Sequence, residues 1–186
     1  MKIILASKSP RRYGILKSRG YEPIVVCSSY DEQINGLIYS DILVENCAYQ
    51  KALDVKNRIG DNELIVSADT VVVNNGVVLG KPKDKNEAFE MLYSLSNKTH
   101  FVSTSICLIF KGQILKATEK TFVTFKELSK EEILNYIEKC SPFDKAGSYG
   151  IQDDGFNFAI KISGELDNVI GFPLGLFKRQ LNLLTK

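Results

Sequence analysis

Leu64-Ile65-Val66-Ser67-Ala68-Asp69-Thr70-Val71-Val72-Val73 is the stretch on which the architecture turns. It is almost continuously apolar and β-branched, without the alternation of a half-exposed strand, so it reads as a strand buried on both faces. Asn75-Gly76 then suits a two-residue hairpin turn into a short return strand, Val77 to Leu79. Within the run, Asp69 breaks the pattern. Aspartate disfavours strands, and a buried carboxylate needs a partner. Either it caps a bulge or pairs with an arginine, or it binds metal or does catalysis; a metal-binding or catalytic role is expected.

On the N-terminal side, Lys2 to Ala6 reads as a short buried strand, and Ser9-Pro10 as an N-cap followed by proline at the first helical position. That helix is expected to run to about Arg19 and stop at Gly20. Pro23 to Cys27 is a second strand, and a polar loop with Asp31 and Glu32 follows. From Ser40 to about Ile59, apolar Val44, Ala48, Ala52, Val55 and Ile59 recur at helical spacing, and Gly60 ends the helix. Capping-box patterns, Asp84 with Glu87 and Ser129 with Glu132, open helices to about Leu95 and Lys139. Between them, Phe101 to Phe110 and Leu115 to Phe125 predict two long antiparallel strands joined around Lys111-Gly112. Ser141 to Gly155 reads as loop, Phe158 to Ser163 as a strand, and Pro173 starts a last helix. Strands and helices alternate without repeats or low-complexity linkers, which predicts one α/β domain over residues 1–186 with a mixed sheet.

The chain has 186 residues, 44% hydrophobic and 25% charged, enough for a proper core. A formal charge of +2 is too small for a nucleic-acid sheath. The apolar start, Ile3 to Ala6, is too short for a signal segment, and no run reaches membrane-spanning length, so a cytoplasmic protein is expected. Cys27, Cys47, Cys107 and Cys140 are far apart and sit in or beside apolar segments, which suggests buried reduced thiols. With His100 as the only histidine, zinc sets and Ser-His-Asp machinery have little to work with. Any metal is expected to be a hard, oxygen-bound ion such as Mg²⁺ or Mn²⁺.

Several further residues depart from their local pattern. Ser7-Lys8-Ser9-Pro10-Arg11-Arg12 crowds hydroxyls and cations where a strand ends and a helix begins. Free N–H groups there already favour anions, and cations in a first turn oppose the helix dipole, so anion binding explains them better than capping does. Lys51, seven residues after Val44, shares the apolar face of its helix; snorkelling to the helix edge is the plain alternative. Lys81 lies between Gly80 and Pro82, where a merely solvated loop lysine is also common. In Asp144-Lys145-Ala146-Gly147-Ser148-Tyr149-Gly150-Ile151-Gln152, small residues let backbone approach a ligand while Lys145, Tyr149 and Gln152 supply cation, ring and amide. His100 reads as structural.

Together these segments, with Ala68-Asp69-Thr70-Val71-Val72, Gly80-Lys81-Pro82 and Asn168-Val169-Ile170-Gly171-Phe172-Pro173, resemble the Maf family of nucleotide pyrophosphatases from end to end. The resemblance implies an elongated mixed sheet in two lobes around a nucleotide cleft, like the inosine triphosphate pyrophosphatases. It implies Asp69 as proton acceptor, Ser7, Arg11, Arg12, Lys51 and Lys81 as phosphate binders, and Glu32 sharing a divalent metal with Asp69. Lys145 joins the substrate contacts. Arg11, Thr70 and Gln152 resemble the branch acting on dTTP and UTP, and a homodimer is expected from the same likeness. Ser67, Phe172 and Glu165-Leu166 depart mildly from the family pattern. The expected reaction releases the nucleoside monophosphate and pyrophosphate. Gln152 offers one donor and one acceptor to the edge of uracil or thymine. Two alternatives stand beside it: a nucleotide-binding cell-division regulator without catalysis, and a purine-type house-cleaning triphosphate pyrophosphatase. Asp69 argues against the first and the Gln152 segment against the second.

Overall fold

The structure, a computed structural model, describes residues 2–184. Its axis is β3 (Leu64–Asn74), buried at every position but Thr70. One edge of β3 pairs antiparallel with β5 (Thr99–Phe110), from Ile65 opposite Ile109 to Val73 opposite Phe101. The other edge is shared. β1 (Ile3–Leu5) lies parallel against Leu64 to Val66, and β4 (Val77–Leu79) lies antiparallel against Val72 to Asn74. Between those two partners, Ser67 to Val71 has no strand on that side among the described residues. Asp69 lies at the middle of this gap.

β2 (Ile24–Val25) adds to β1 in parallel, β6 (Gln113–Phe125) adds to β5 antiparallel, and β7 (Ala159–Ser163) closes the far edge antiparallel to β6. The result is a seven-stranded mixed sheet. Both hairpin turns are of the kind expected, with Asn75-Gly76 and Lys111-Gly112 all at positive φ. Helices cover both faces: α1 (Pro10–Ser18), α2 (Asp41–Ile59), α3 (Lys85–Leu95), α4 (Lys130–Cys140), α5 (Leu166–Ile170) and α6 (Leu174–Leu184). None of them is long and apolar enough to cross a membrane.

Alternation along β3 sorts its residues between the faces. Leu64, Val66 and Ala68 pack with Leu16 of α1 and Phe177 of α6, while Ile65 packs with Ala48, Ala52 and Val55 of α2. Past the gap, Val72 joins Leu92 of α3 and Ile133 of α4, and Val71 and Val73 join Val44, Cys47 and Val78. The core therefore has two ends, and Asp69 and Thr70 lie where they meet. That is the two-lobed arrangement with a central cleft.

Several details differ from the sequence reading. β2 keeps two residues of Pro23 to Cys27, both half-exposed, because β1, the strand it pairs with, has three residues. Cys27 consequently lies in exposed chain, with its carbonyl held by Arg58 at 2.6 Å, and Cys140 is half-buried; only Cys47 and Cys107 are the buried thiols expected. Asp84 caps α3, but Glu87 does not return to it. Its carboxylate takes Lys83 N–H and Asn35 instead, at 2.7 Å each, tying the acidic loop to the start of α3. The Ser129 and Glu132 box forms as expected. The segment from Ser141 to Gly155 contains two 3₁₀ turns, Pro142–Asp144 and Ala146–Ser148. α5 was not anticipated, since five residues are too few to show a helical period.

Candidate active site

β1 delivers the chain to the gap in β3. Beyond it Ser7 Oγ accepts the Ser9 N–H at 3.1 Å, Ser9 caps α1, and Pro10 opens the helix. No acidic residue sits in this first turn. Arg12 folds back toward β3, where its Nε donates to the Gly171 carbonyl at 2.9 Å and its terminal nitrogens donate to Ser7 Oγ at 3.2 Å and Thr70 Oγ1 at 3.0 Å. Three of its five N–H donors are thus committed to protein, leaving two for a ligand. Burial lowers the Arg12 pKa, with Asp69 and Glu32 opposing that effect.

On the opposite face of β3, Asp69 is 3% exposed and meets Lys51, 7% exposed, from α2. The Lys51 ammonium contacts Asp69 Oδ1 at 2.5 Å, the Ala68 carbonyl at 3.4 Å, and Glu32 Oε1. Lys51 does not snorkel: its head is inside, where its three protons match three oxygens. Glu32 also faces Lys81 at 3.6 Å. Burial raises the Asp69 carboxyl above the ordinary range, with Lys51 opposing, so the lysine does not outweigh the lost solvation. For Glu32 burial acts the same way, yet Lys51, Lys81 and Arg12 outweigh it and hold its carboxyl below the usual range.

The far wall is the segment from Asp144 to Gln152. Gly147 adopts φ +64, and a Cβ there would lie 2.6 Å from Val72 Cγ2, so the close approach to β3 requires glycine. Its N–H donates to the Gly80 carbonyl at 2.9 Å, which places Lys81 beside this wall. Gly80 N–H in turn donates to Asn35 Oδ1 at 2.9 Å, which anchors the loop that carries Glu32. Across the cleft Arg11 grips Asp144 through Oδ2 at 2.7 Å and the carbonyl at 3.1 Å. Lys145 lies between Asp144 at 3.4 Å and Asp153 at 3.6 Å. Asp153 accepts from the Tyr136 hydroxyl at 2.6 Å, and that hydroxyl accepts the Gly150 N–H at 2.9 Å.

These walls enclose a cavity of about 440 Å³. Ser7, Arg11, Arg12, Glu32, Lys51, Asp69, Thr70, Lys81, Lys145 and Gln152, the ten residues expected from sequence, all line it. Asp69 and Thr70 reach it from opposite faces of one strand, because the missing edge partner opens both. Among the described residues no group of three or more His, Cys, Asp or Glu side chains gathers as a metal cluster. His100 is off the cavity, buried in β5 with Nε2 2.8 Å from the Tyr149 hydroxyl, and burial pushes it down to about 4. Asp144, the partner of Arg11, and Tyr30, which also lines the cavity, are not among the site residues expected from sequence. The neighbouring Lys145 motif was a signal for Asp144; a tyrosine in a polar loop gives none.

The family model described as Maf-like protein matches residues 2–184. A protein of Thermosipho africanus named dTTP/UTP pyrophosphatase is 45% identical over 174 residues, covering 94% of this chain and 88% of the relative. One of Clostridium perfringens with the same name is 42% identical over 186 residues, covering 97% and 96%. Among solved structures, a nucleoside-triphosphatase / dITP/XTP pyrophosphatase of Mycobacterium abscessus aligns over 99% of this chain and 97% of its own, at 16% identity and a TM-score of 0.49. With a family match that spans nearly every residue and relatives this similar over most of their length, the chain belongs to the Maf family.

Proposed function

We propose that this protein is a nucleoside triphosphate pyrophosphatase that hydrolyses dTTP and UTP to the monophosphate and pyrophosphate. The observation that carries the reading is the buried Asp69, held by Lys51 in the open edge of β3 and facing a cavity walled by Arg11, Arg12 and Lys81. A binding protein gains nothing from a carboxylate beside a polyanion, whereas a hydrolase needs a base. The cavity has the size of ordinary small-molecule sites.

The donor set suits a hard divalent cation. Asp69 and Glu32 converge on one ammonium, all the atoms that meet it are oxygens, and Mg²⁺ typically takes one or two carboxylates and fills its shell with water and phosphate. When bound, Mg²⁺ or Mn²⁺ supplies charge neutralisation on the phosphate oxygens. Asp69 accepts the proton of the attacking water as its oxygen bonds to the α-phosphorus and the bond to the β-phosphate breaks. Burial makes this carboxylate a stronger base than an exposed one. Arg11 exchanges Asp144 for phosphate, Arg12 offers its two uncommitted N–H groups, and Lys81 with Lys145 adds charge as the leaving pyrophosphate becomes more negative. Ser7 and the α1 N-terminus complete the cradle. Gln152, exposed at the cavity rim, meets the base edge, and Thr70 and Arg11 share in specificity. We place the protein in the cytoplasm as a homodimer on family likeness.

The test incubates pure protein with a nucleoside triphosphate panel, with and without Mg²⁺ or Mn²⁺, and assays monophosphate and pyrophosphate. UTP and dTTP turnover is expected with metal, and Asp69→Asn is expected to lose on the order of a thousandfold or more in kcat while still binding UTP. Full activity in that variant sinks the proposal.

A further inference from the structure

Thr104 lies in the middle of β5, 0% exposed and directly opposite Thr70 in the sheet register. It belongs to a chain of hydrogen bonds whose directions are fixed by their ends. Thr121 Oγ1 donates to the Glu165 carbonyl at 3.0 Å, which leaves its lone pairs for Asn168 Nδ2, also at 3.0 Å. The second proton of that amide goes to the Val102 carbonyl at 3.0 Å. With Asn168 so held, its backbone carbonyl accepts the Thr104 hydroxyl proton at 3.1 Å.

A hydroxyl has a single proton, so Thr104 Oγ1 can only accept from Thr70 Oγ1, 3.0 Å away. The other acceptor within reach of the Thr70 proton is the Gly171 carbonyl, farther at 3.3 Å and shared with Arg12 Nε at 2.9 Å. The shorter bond, to Thr104, turns the Thr70 proton into the sheet and its lone pairs outward, where one takes the Arg12 guanidinium at 3.0 Å.

We infer that Thr104 is a positioning residue for nucleotide binding: it fixes the Thr70 hydroxyl as an acceptor and through it aims Arg12. This rests on the proposed function only in taking a triphosphate as the ligand. The consequence reaches the substrate without contact. Without Thr104 Oγ, the Thr70 proton turns to the Gly171 carbonyl, where it competes with Arg12 Nε, and the guanidinium's hold on both Gly171 and Thr70 loosens.

The experiment compares wild type, Thr104→Val, Thr104→Ala and Thr104→Ser by calorimetric titration with α,β-methylene UTP, an analogue that cannot be cleaved at the proposed bond. Valine keeps the shape and removes the hydroxyl, so affinity is expected to fall about tenfold, the scale of a lost hydrogen bond to a charged group, with serine restoring it. In the Arg12→Lys background the valine change is expected to cost less than twofold, because the group being aimed is gone. The alanine variant gives the same reading if valine does not fold. Wild-type affinity in the folded valine or alanine variant overturns the inference, as does an equal loss in both backgrounds or a loss that serine does not restore. A wild type that binds the analogue but releases no pyrophosphate from UTP overturns the catalytic reading instead and leaves this comparison standing.

Discussion

Burial of Asp69 raises its carboxyl, so the folded chain holds that proton at higher pH than the unfolded chain does. The stability linked to it is complete below the unfolded value of 3.8 and is lost as pH rises through the folded one. Asp69→Asn has no such titration and leaves Lys51 with Glu32 as partner. The variant is therefore expected to gain on wild type as pH rises, equal near pH 3 and more stable at pH 7, by denaturant unfolding at several pH values. A gap that stays constant with pH would show that the carboxylate is not strained by burial. Glu32 has the opposite sign. Its carboxyl is held low by Lys51, Lys81 and Arg12 against burial, so its stabilisation is present above the unfolded value of 4.5 and fades as pH falls through the folded one. Glu32→Gln is expected to be the less stable protein at pH 7 and to converge with wild type in acid. One lysine between two carboxylates thus leaves them unequal, and the more deeply buried one is the better base.

Among the elements, the wall from Asp144 to Gln152 depends on one glycine. Gly147→Ala places a methyl 2.6 Å from Val72 Cγ2 at a φ of +64, and both effects push the wall away from β3. The expected cost is about 2–4 kcal/mol of stability, overpacking and backbone strain together, with KM for UTP raised. Unfolding curves and initial rates on one preparation check it, and an unchanged KM would separate this wall from the substrate. The elements themselves were largely legible. β3 announced itself by composition, the helices by caps and period, and the hairpins by Asn75-Gly76 and Lys111-Gly112. What was not legible was tertiary: Glu87 chooses Lys83 and Asn35 over its own cap, and β2 shrinks because its neighbour is short. The same division holds at the site. Charged residues out of place, Asp69 and Lys51, could be read because each violates its own element. Thr104 could not, since threonine in a strand breaks no rule and its role exists only through register with Thr70. Asp144 pairs with Arg11 across 133 residues of chain, a distance that no local pattern reports.

For the whole molecule, the cleft divides the core, and the groups around it come from both ends. Ser7, Arg11 and Arg12 belong to the end packed on α1 and α6, whereas Lys81 and Lys145 belong to the end packed on α3 and α4. β3, β5 and β6 run through both ends, but over the open cleft the Arg11 grip on Asp144 is solvent-facing, with the Asp144 side chain 58% exposed. Such a bridge contributes little by itself. A triphosphate that engages cations of both ends replaces it with several charge-assisted contacts, so the ligand is expected to stabilise the molecule as one cooperative unit. With Asp69→Asn to prevent turnover, UTP at a hundred times its Kd adds about 2.7 kcal/mol, which for a chain of this size raises Tm by about 5–10 °C. GTP at the same concentration is expected to give a smaller shift if, as proposed, Gln152 meets the edge of a pyrimidine. A single unfolding transition that moves as a whole shows that the nucleotide stabilises both ends together. Two transitions, of which UTP moves only one, would confine the binding energy to one end and take the cleft out of the mechanism.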